Sequence, residues 1–183
     1  MKKFEEKTIH SERLYEGKVI NLKVDDVMLP NGKQSKRELI EHPGAVAVIA
    51  LTSDKKIIMV EQYRKALERS LVEIPAGKLE LGEAPEYTAM RELEEETGYS
   101  AEKLEKVISF STSPGFADEV VHVFFATGLH RAANGAVTDD DEFVELLEVT
   151  VEEAQSLIDN EQIYDAKTAY AVQWVKNYLS DKN

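Results

Sequence analysis

The chain has 183 residues, 43% apolar and 31% charged, enough for one domain with its own hydrophobic core plus a small appendage. Its net charge of −13 repels nucleic-acid phosphates and argues against nucleic-acid binding. With no cysteine it can hold neither a disulfide framework nor a thiolate metal site, and no apolar run approaches the roughly 20 residues of a membrane-spanning helix. The opening MKKFEEKTIH lacks the apolar stretch of a secretory signal, so the expected location is the cytoplasm.

In chain order, Val19 to Leu29 reads as a strand and Pro30-Asn31-Gly32 as a hairpin turn, because Asn-Gly tolerates positive φ at both positions. The return strand is expected over Arg37 to Glu41, and His42-Pro43-Gly44 then punctuates the chain. Residues 1–42 therefore read as a small antiparallel β subdomain and 43–183 as the main domain. Ala45 to Leu51 is apolar on both faces, the pattern of a buried central strand. Strands follow at Ile57 to Tyr63 and Leu71 to Ile74, the latter ending at Pro75-Ala76-Gly77. A helix is expected from Pro85 to Thr97, with proline in the first turn and Gly98 as its C-terminal stop. Further strands are expected at Val107 to Ser111, Val120 to Thr127 and Phe143 to Val149. Two helices close the chain, at Val151 to Asp159 and Ala166 to Leu179, the last N-capped by Asp165. The order predicts an α/β fold, an α/β/α sandwich around a mixed sheet.

The first of these helices carries the chemistry. Glu92, Glu95 and Glu96 stand at i, i+3 and i+4 and share one face, while Ala89 and Leu93 lie on a separate apolar stripe. The three carboxylates repel one another, and they sit in the last turn, where the helix dipole disfavours negative charge. Taken alone, a glutamate-rich helix is most often a solvated surface. A hard divalent cation with oxygen ligands is the alternative that offsets the repulsion. Glu83, just ahead of the helix, can bend back towards the same place.

The spacing decides between them. Gly77, Glu83, Arg91, Glu92, Leu93, Glu95, Glu96 and Gly98 fit the Nudix box, G-x5-E-x7-R-E-U-x-E-E-x-G-U, where U is a bulky aliphatic residue; Tyr99 replaces the final U. The chain thus resembles the Nudix hydrolases. That resemblance implies magnesium or manganese, two or three ions per site, held by Glu92 and Glu96 with Glu95 and the Ala76 carbonyl. It makes Arg91 an orienting residue and Glu83 a supporting one, and it implies in-line attack of water on a nucleoside diphosphate linked to another group.

Outside the box the chain is similar to the ADP-ribose pyrophosphatase subgroup. Pro114 stands sixteen residues beyond Gly98, within Ser113-Pro114-Gly115-Phe116. Glu61-Gln62-Tyr63-Arg64 is similar to the strand that delivers an arginine to the diphosphate, and Glu73-Ile74-Pro75-Ala76-Gly77 to the entry of the box. The resemblance implies substrate contacts from Arg64, Glu73, Pro114, Gly115 and Glu119, with Arg37 and Phe4 candidates by residue type. It implies a catalytic base in the acidic run 139–142, where Glu142 fits best and Asp140 and Asp141 stay open, and a homodimer built through the N-terminal strands. The expected reaction is hydrolysis of ADP-ribose to AMP and ribose 5-phosphate. Other nucleoside diphosphate sugars and dinucleoside polyphosphates are alternative substrates. An inactive nucleotide-sensing Nudix domain is the alternative of another class.

Overall fold

The computed structural model describes residues 3–80, 82–133 and 143–182. It divides into two compact units, Met1–Gly44 with Phe110–Val120, and Ala45–Ser109 with Val121–Asn183.

The first unit is a three-stranded antiparallel sheet of β1 (Lys7–Glu16), β2 (Asn21–Met28) and β3 (Gln34–Glu41), in that order. The expected hairpin is present: the Gly32 N–H donates to the Leu29 carbonyl at 2.9 Å and β2 pairs with β3 from Met28↔Gln34 onward. Asp25 is buried on β2 and is satisfied by the hydroxyls of Ser11 at 2.6 Å and Thr8 at 3.2 Å. Segment 110–120 returns to the outer side of β3. There the Ile40 N–H donates to the Phe116 carbonyl at 2.7 Å, and the His42 N–H to the Asp118 carboxylate at 2.8 Å. Sequence reasoning missed β1, whose ten residues are all exposed and show no apolar alternation.

The second unit holds a mixed sheet, α/β in class as expected. Its strands are β4 (Ala45–Leu51), β5 (Ile57–Arg64), β6 (Arg69–Glu73), β7 (Ala76–Lys78), β8 (Tyr99–Ser111), β9 (Val120–Arg131) and β10 (Val144–Val149). The spine runs β10-β5-β4-β9-β8, with β4 and β9 parallel and β5 antiparallel to both β4 and β10. Among the described residues three α-helices accompany it: α1 (Pro85–Thr97), α2 (Val151–Asp159) and α3 (Ala166–Ser180). Strand alternation assigns the two faces. Val46, Val48 and Ala50 of β4 and Phe124 and Ala126 of β9 form one core with Ala89 and Leu93 of α1. On the other face Phe125, beside Ile49 in the register, packs edge-on against Tyr178 and tilted against Trp174 of α3. No helix is long and apolar enough to cross a membrane, among the described residues.

One irregularity of the sheet positions everything that follows. β4 pairs with β5 only at Ala50 and Leu51, and its first half pairs instead with β7, from Ala45↔Lys78 to Ala47↔Ala76. The two strands diverge, and the Val48 N–H donates to the Pro75 carbonyl within the gap at 2.8 Å. Glu73, Ala76 and Gly77 therefore emerge at a fork in the sheet. β8 begins at Tyr99 rather than at the expected Val107; the charged stretch Tyr99–Lys106 lacks a strand-like pattern, which hid the first half of the strand from sequence reasoning.

The fit of α1 to the sheet hinges on Leu93, which has no exposed surface. Leu93→Ala is expected to lower the unfolding free energy by about 2–5 kcal/mol, read by urea denaturation with the fluorescence of Trp174 as the probe.

Candidate active site

Helix α1 starts with Pro85 at its first turn and stops at Gly98, whose φ of 68° lets its N–H close on the Glu94 carbonyl at 2.9 Å. Burial of Ala89 and Leu93 turns the neighbouring acids towards β7. Glu96 is itself buried, and its carboxylate accepts the Ala76 N–H at 3.1 Å. The Glu92 carboxyl lies directly on the backbone of Gly77, and a Cβ there would overlap it. This close approach, rather than any turn, is what requires glycine at position 77.

Arg91 gathers the remaining acids. One guanidinium nitrogen contacts Glu95 at 2.7 Å and Glu92 at 3.0 Å, and the other reaches Glu83 at 3.4 Å. Glu83 does bend back over the helix, where the buried Thr88 hydroxyl donates to it at 2.8 Å. Burial works against the charge of Arg91, but Glu92, Glu95 and Glu83 outweigh it and push its pKa well above the ordinary arginine value. One cation thus faces three carboxylates, with Glu96 as a fourth on the same helix. Among the described residues, no three acidic or imidazole side chains already form a closed ligand group. The donor chemistry nevertheless fits a hard divalent ion, since the acids gathered at α1 offer carboxylate oxygens.

A second centre occupies the fork. Glu73, at the end of β6, is 2% exposed, yet both its oxygens bind cations. Arg64, at the end of β5, donates through Nε at 2.6 Å to one oxygen and through Nη2 at 2.8 Å to the other, a bidentate pair. Lys167, in the first turn of α3, also binds Glu73, and it donates to Asp165 at 2.9 Å. Asp165 caps α3 as expected by accepting the Thr168 N–H at 3.1 Å, and the Thr168 hydroxyl accepts the Ile74 N–H at 3.1 Å. Burial raises the pKa of Glu73, but Arg64 and Lys167 outweigh it and hold the carboxyl below its ordinary range. Glu73, expected among the substrate contacts, is thus engaged by cations of its own chain. Lys167 was not singled out from the sequence; its partner lies 94 residues away and no motif links them.

The other candidates belong to the first unit or fall outside the described residues. Arg37 is gripped by Glu6 at 2.6 and 2.7 Å. Pro114 and Gly115 form a tight turn, closed by the Phe116 and Ala117 N–H groups on the Ser113 carbonyl. Glu119 accepts the Thr112 hydroxyl at 2.5 Å and lies 3.6 Å from the His42 ring. Glu142, Asp140 and Asp141 lie outside the described residues. The four histidines show no shared site: His42 pairs with Glu119 and His122 with Ser109.

Comparison with known proteins gives the following. A family model described as NUDIX domain matches residues 41–171, and one described as nucleoside diphosphate sugar hydrolase N-terminal domain matches residues 6–40. The chain is 62% identical over 176 residues to an ADP-ribose pyrophosphatase of Bacillus subtilis, covering 96% of this chain and 95% of that one. It is 61% identical over 175 residues to a methanol dehydrogenase activator of Bacillus methanolicus, with the same coverage. A solved structure described as an ADP compounds hydrolase superposes with a TM-score of 0.85 at 19% identity, over 98% of this chain and 96% of that one, a likeness of fold.

The lowered pKa of Glu73 has a consequence for stability. Its stabilisation is present above the ordinary value of 4.5 and is lost as pH falls through the folded value. In urea titrations the stability gap between the wild type and Glu73→Gln is expected to narrow as pH falls from about 6 towards about 3. A gap that stays constant would place the acid sensitivity elsewhere.

Proposed function

We propose that this chain, which belongs to the Nudix family, hydrolyses the diphosphate of ADP-ribose to AMP and ribose 5-phosphate. The observation that carries the reading is the seating of α1 at the fork, with Glu92 on the Gly77 backbone and Glu96 on the Ala76 N–H. The near-full-length identity to a protein named ADP-ribose pyrophosphatase supports this choice of substrate.

The residues divide the work. Glu92, Glu96, Glu95 and the Ala76 carbonyl form the donor set for magnesium or manganese, in two or three ions. Bound there, such ions neutralise the diphosphate and polarise the scissile P–O bond. Arg91 holds Glu83, Glu92 and Glu95 against their mutual repulsion. Arg64 is the arginine that meets the diphosphate, its guanidinium fixed in one plane by Glu73. Water attacks phosphorus, the P–O bond to the leaving group breaks, and Glu142 is the base that takes the water proton, with Asp140 and Asp141 as its alternatives. The intact acidic face speaks against an inactive nucleotide sensor, which needs no such cluster.

A cytoplasmic homodimer completes the proposal. β1 is an edge strand, exposed throughout, and presents Ile9, Leu14 and Tyr15 to solvent. Exposed apolar edge strands are surfaces that proteins ordinarily cover. The chain is expected to sediment as a dimer at micromolar concentration, and Leu14→Asp to shift it towards monomer. A wild type that is monomeric and fully active would remove this part of the reading.

Steady-state kinetics test the reaction itself. ADP-ribose is expected to give the highest kcat/KM in a panel with ADP-glucose, diadenosine polyphosphates, NADH and 8-oxo-dGTP. Turnover should require a divalent cation and fall by orders of magnitude in Glu96→Gln, and Glu142→Gln should lower kcat by about 10²–10⁴-fold. Full activity after chelation would overturn the donor assignment, and a clear preference for 8-oxo-dGTP or a dinucleoside polyphosphate would overturn the substrate.

A further inference from the structure

We propose that Lys167 is a positioning residue for the diphosphate: by sharing the buried carboxylate of Glu73, it keeps the positive charge of Arg64 available to an anionic ligand. The inference rests on Arg64 being the residue that meets the phosphates.

Glu73 is 2% exposed and must be compensated wherever Arg64 points, because an unpaired buried carboxylate is strongly destabilising. Arg64 is 40% exposed and spends Nε and Nη2 on Glu73, which leaves Nη1 without a partner among the described residues. A guanidinium paired one-to-one with a carboxylate presents little net charge to a third group. The geometry supplies a second cation. Lys167 binds the same Glu73 oxygen that accepts from Arg64 Nη2. Lys167 is only 13% exposed and its ammonium is held by two carboxylates, so it is placed to act on Glu73 rather than on a ligand.

The charges of the cluster show what depends on it. Arg64, Lys167, Glu73 and Asp165 together are neutral. Remove Lys167 and the remaining three carry a net negative charge, in a chain that already carries −13. A diphosphate approaching Arg64 then meets repulsion where it had met a neutral cluster with an exposed guanidinium edge. The position of Lys167 is also fixed rather than incidental. The Ile74 N–H, one residue beyond Glu73, donates to the Thr168 hydroxyl, one residue beyond Lys167. The first turn of α3 is thus bolted to the strand end that carries the carboxylate.

The test measures ADP affinity by calorimetry in magnesium buffer, and KM and kcat for ADP-ribose, in the wild type, Lys167→Met, Lys167→Arg and the double variant Glu73→Gln/Lys167→Met. Lys167→Met is expected to weaken ADP binding and raise KM by about tenfold, with kcat within about threefold of wild type. Lys167→Arg, which keeps the charge, should bind ADP within about threefold of wild type. The double variant, in which Arg64 and Asp165 are the charges left in the cluster and sum to zero, should recover most of the affinity. Lys167→Gln supplies the same readout if Lys167→Met does not fold. Unchanged ADP affinity in the charge-removing variants would overturn the proposal. So would a loss that the double variant deepens, since that is the signature of a packing role. A wild type that binds ADP yet leaves ADP-ribose intact would sink the substrate reading alone, and the affinities would still decide the role of Lys167.

Discussion

Leu93 cannot be buried against β4 without bringing Glu92 and Glu96 inward with it, because these two acids stand at i and i+4 on one stripe of the helix that flanks Leu93 on the same side. Leu93 has no exposed surface and Glu96 is buried beside it. The hydrophobic packing that fixes α1 therefore also concentrates negative charge, in the turn where the helix dipole already disfavours it. The fold answers with three fixed features: the Ala76 N–H on Glu96, the bare backbone of Gly77 under Glu92, and Arg91 across Glu83, Glu92 and Glu95. Together they hold all four acids in place.

The fork in the sheet is what permits this arrangement. Had β4 paired with β5 along its whole length, Ala76 and Gly77 would have had no strand partner. Instead β7 takes the first half of β4, so the backbone that receives Glu92 and Glu96 is itself held in a ladder. In the adjoining β5–β6 ladder Glu73 stands opposite Val60, four residues along β5 from Arg64, and the two side chains reach across that span to meet. The acidic helix and the arginine–glutamate–lysine cluster act on each other electrostatically: the Arg64 pKa is pushed up mainly by Glu73, with Glu96 of α1 contributing.

What the sequence made legible follows from the range of the interactions involved. The helix α1 was readable to the residue because Pro85 and Gly98 punctuate it locally, and its acids because i, i+3 and i+4 spacing is a property of one turn. β4 was readable because both its faces are buried. β1 was not, since an edge strand with every residue exposed leaves no alternating pattern. The three-residue β7 was not, since its pairing with β4 depends on a divergence that no local signal announces. Lys167 was hidden for the same reason: an ion pair spanning 94 residues has no expression in spacing. The compensation of a buried charge has to be read from the structure.

The two centres differ in how their charge is settled. At the fork, Glu73 and Asp165 are matched by Arg64 and Lys167 through hydrogen-bonded ion pairs. On α1, Arg91 bridges Glu83, Glu92 and Glu95, with Glu96 buried beside them. In the proposed function the acidic face of α1 would take divalent cations and the exposed edge of Arg64 would take the phosphate oxygens, so a diphosphate that carries its own cations suits the pair of centres better than a bare cation or a bare anion.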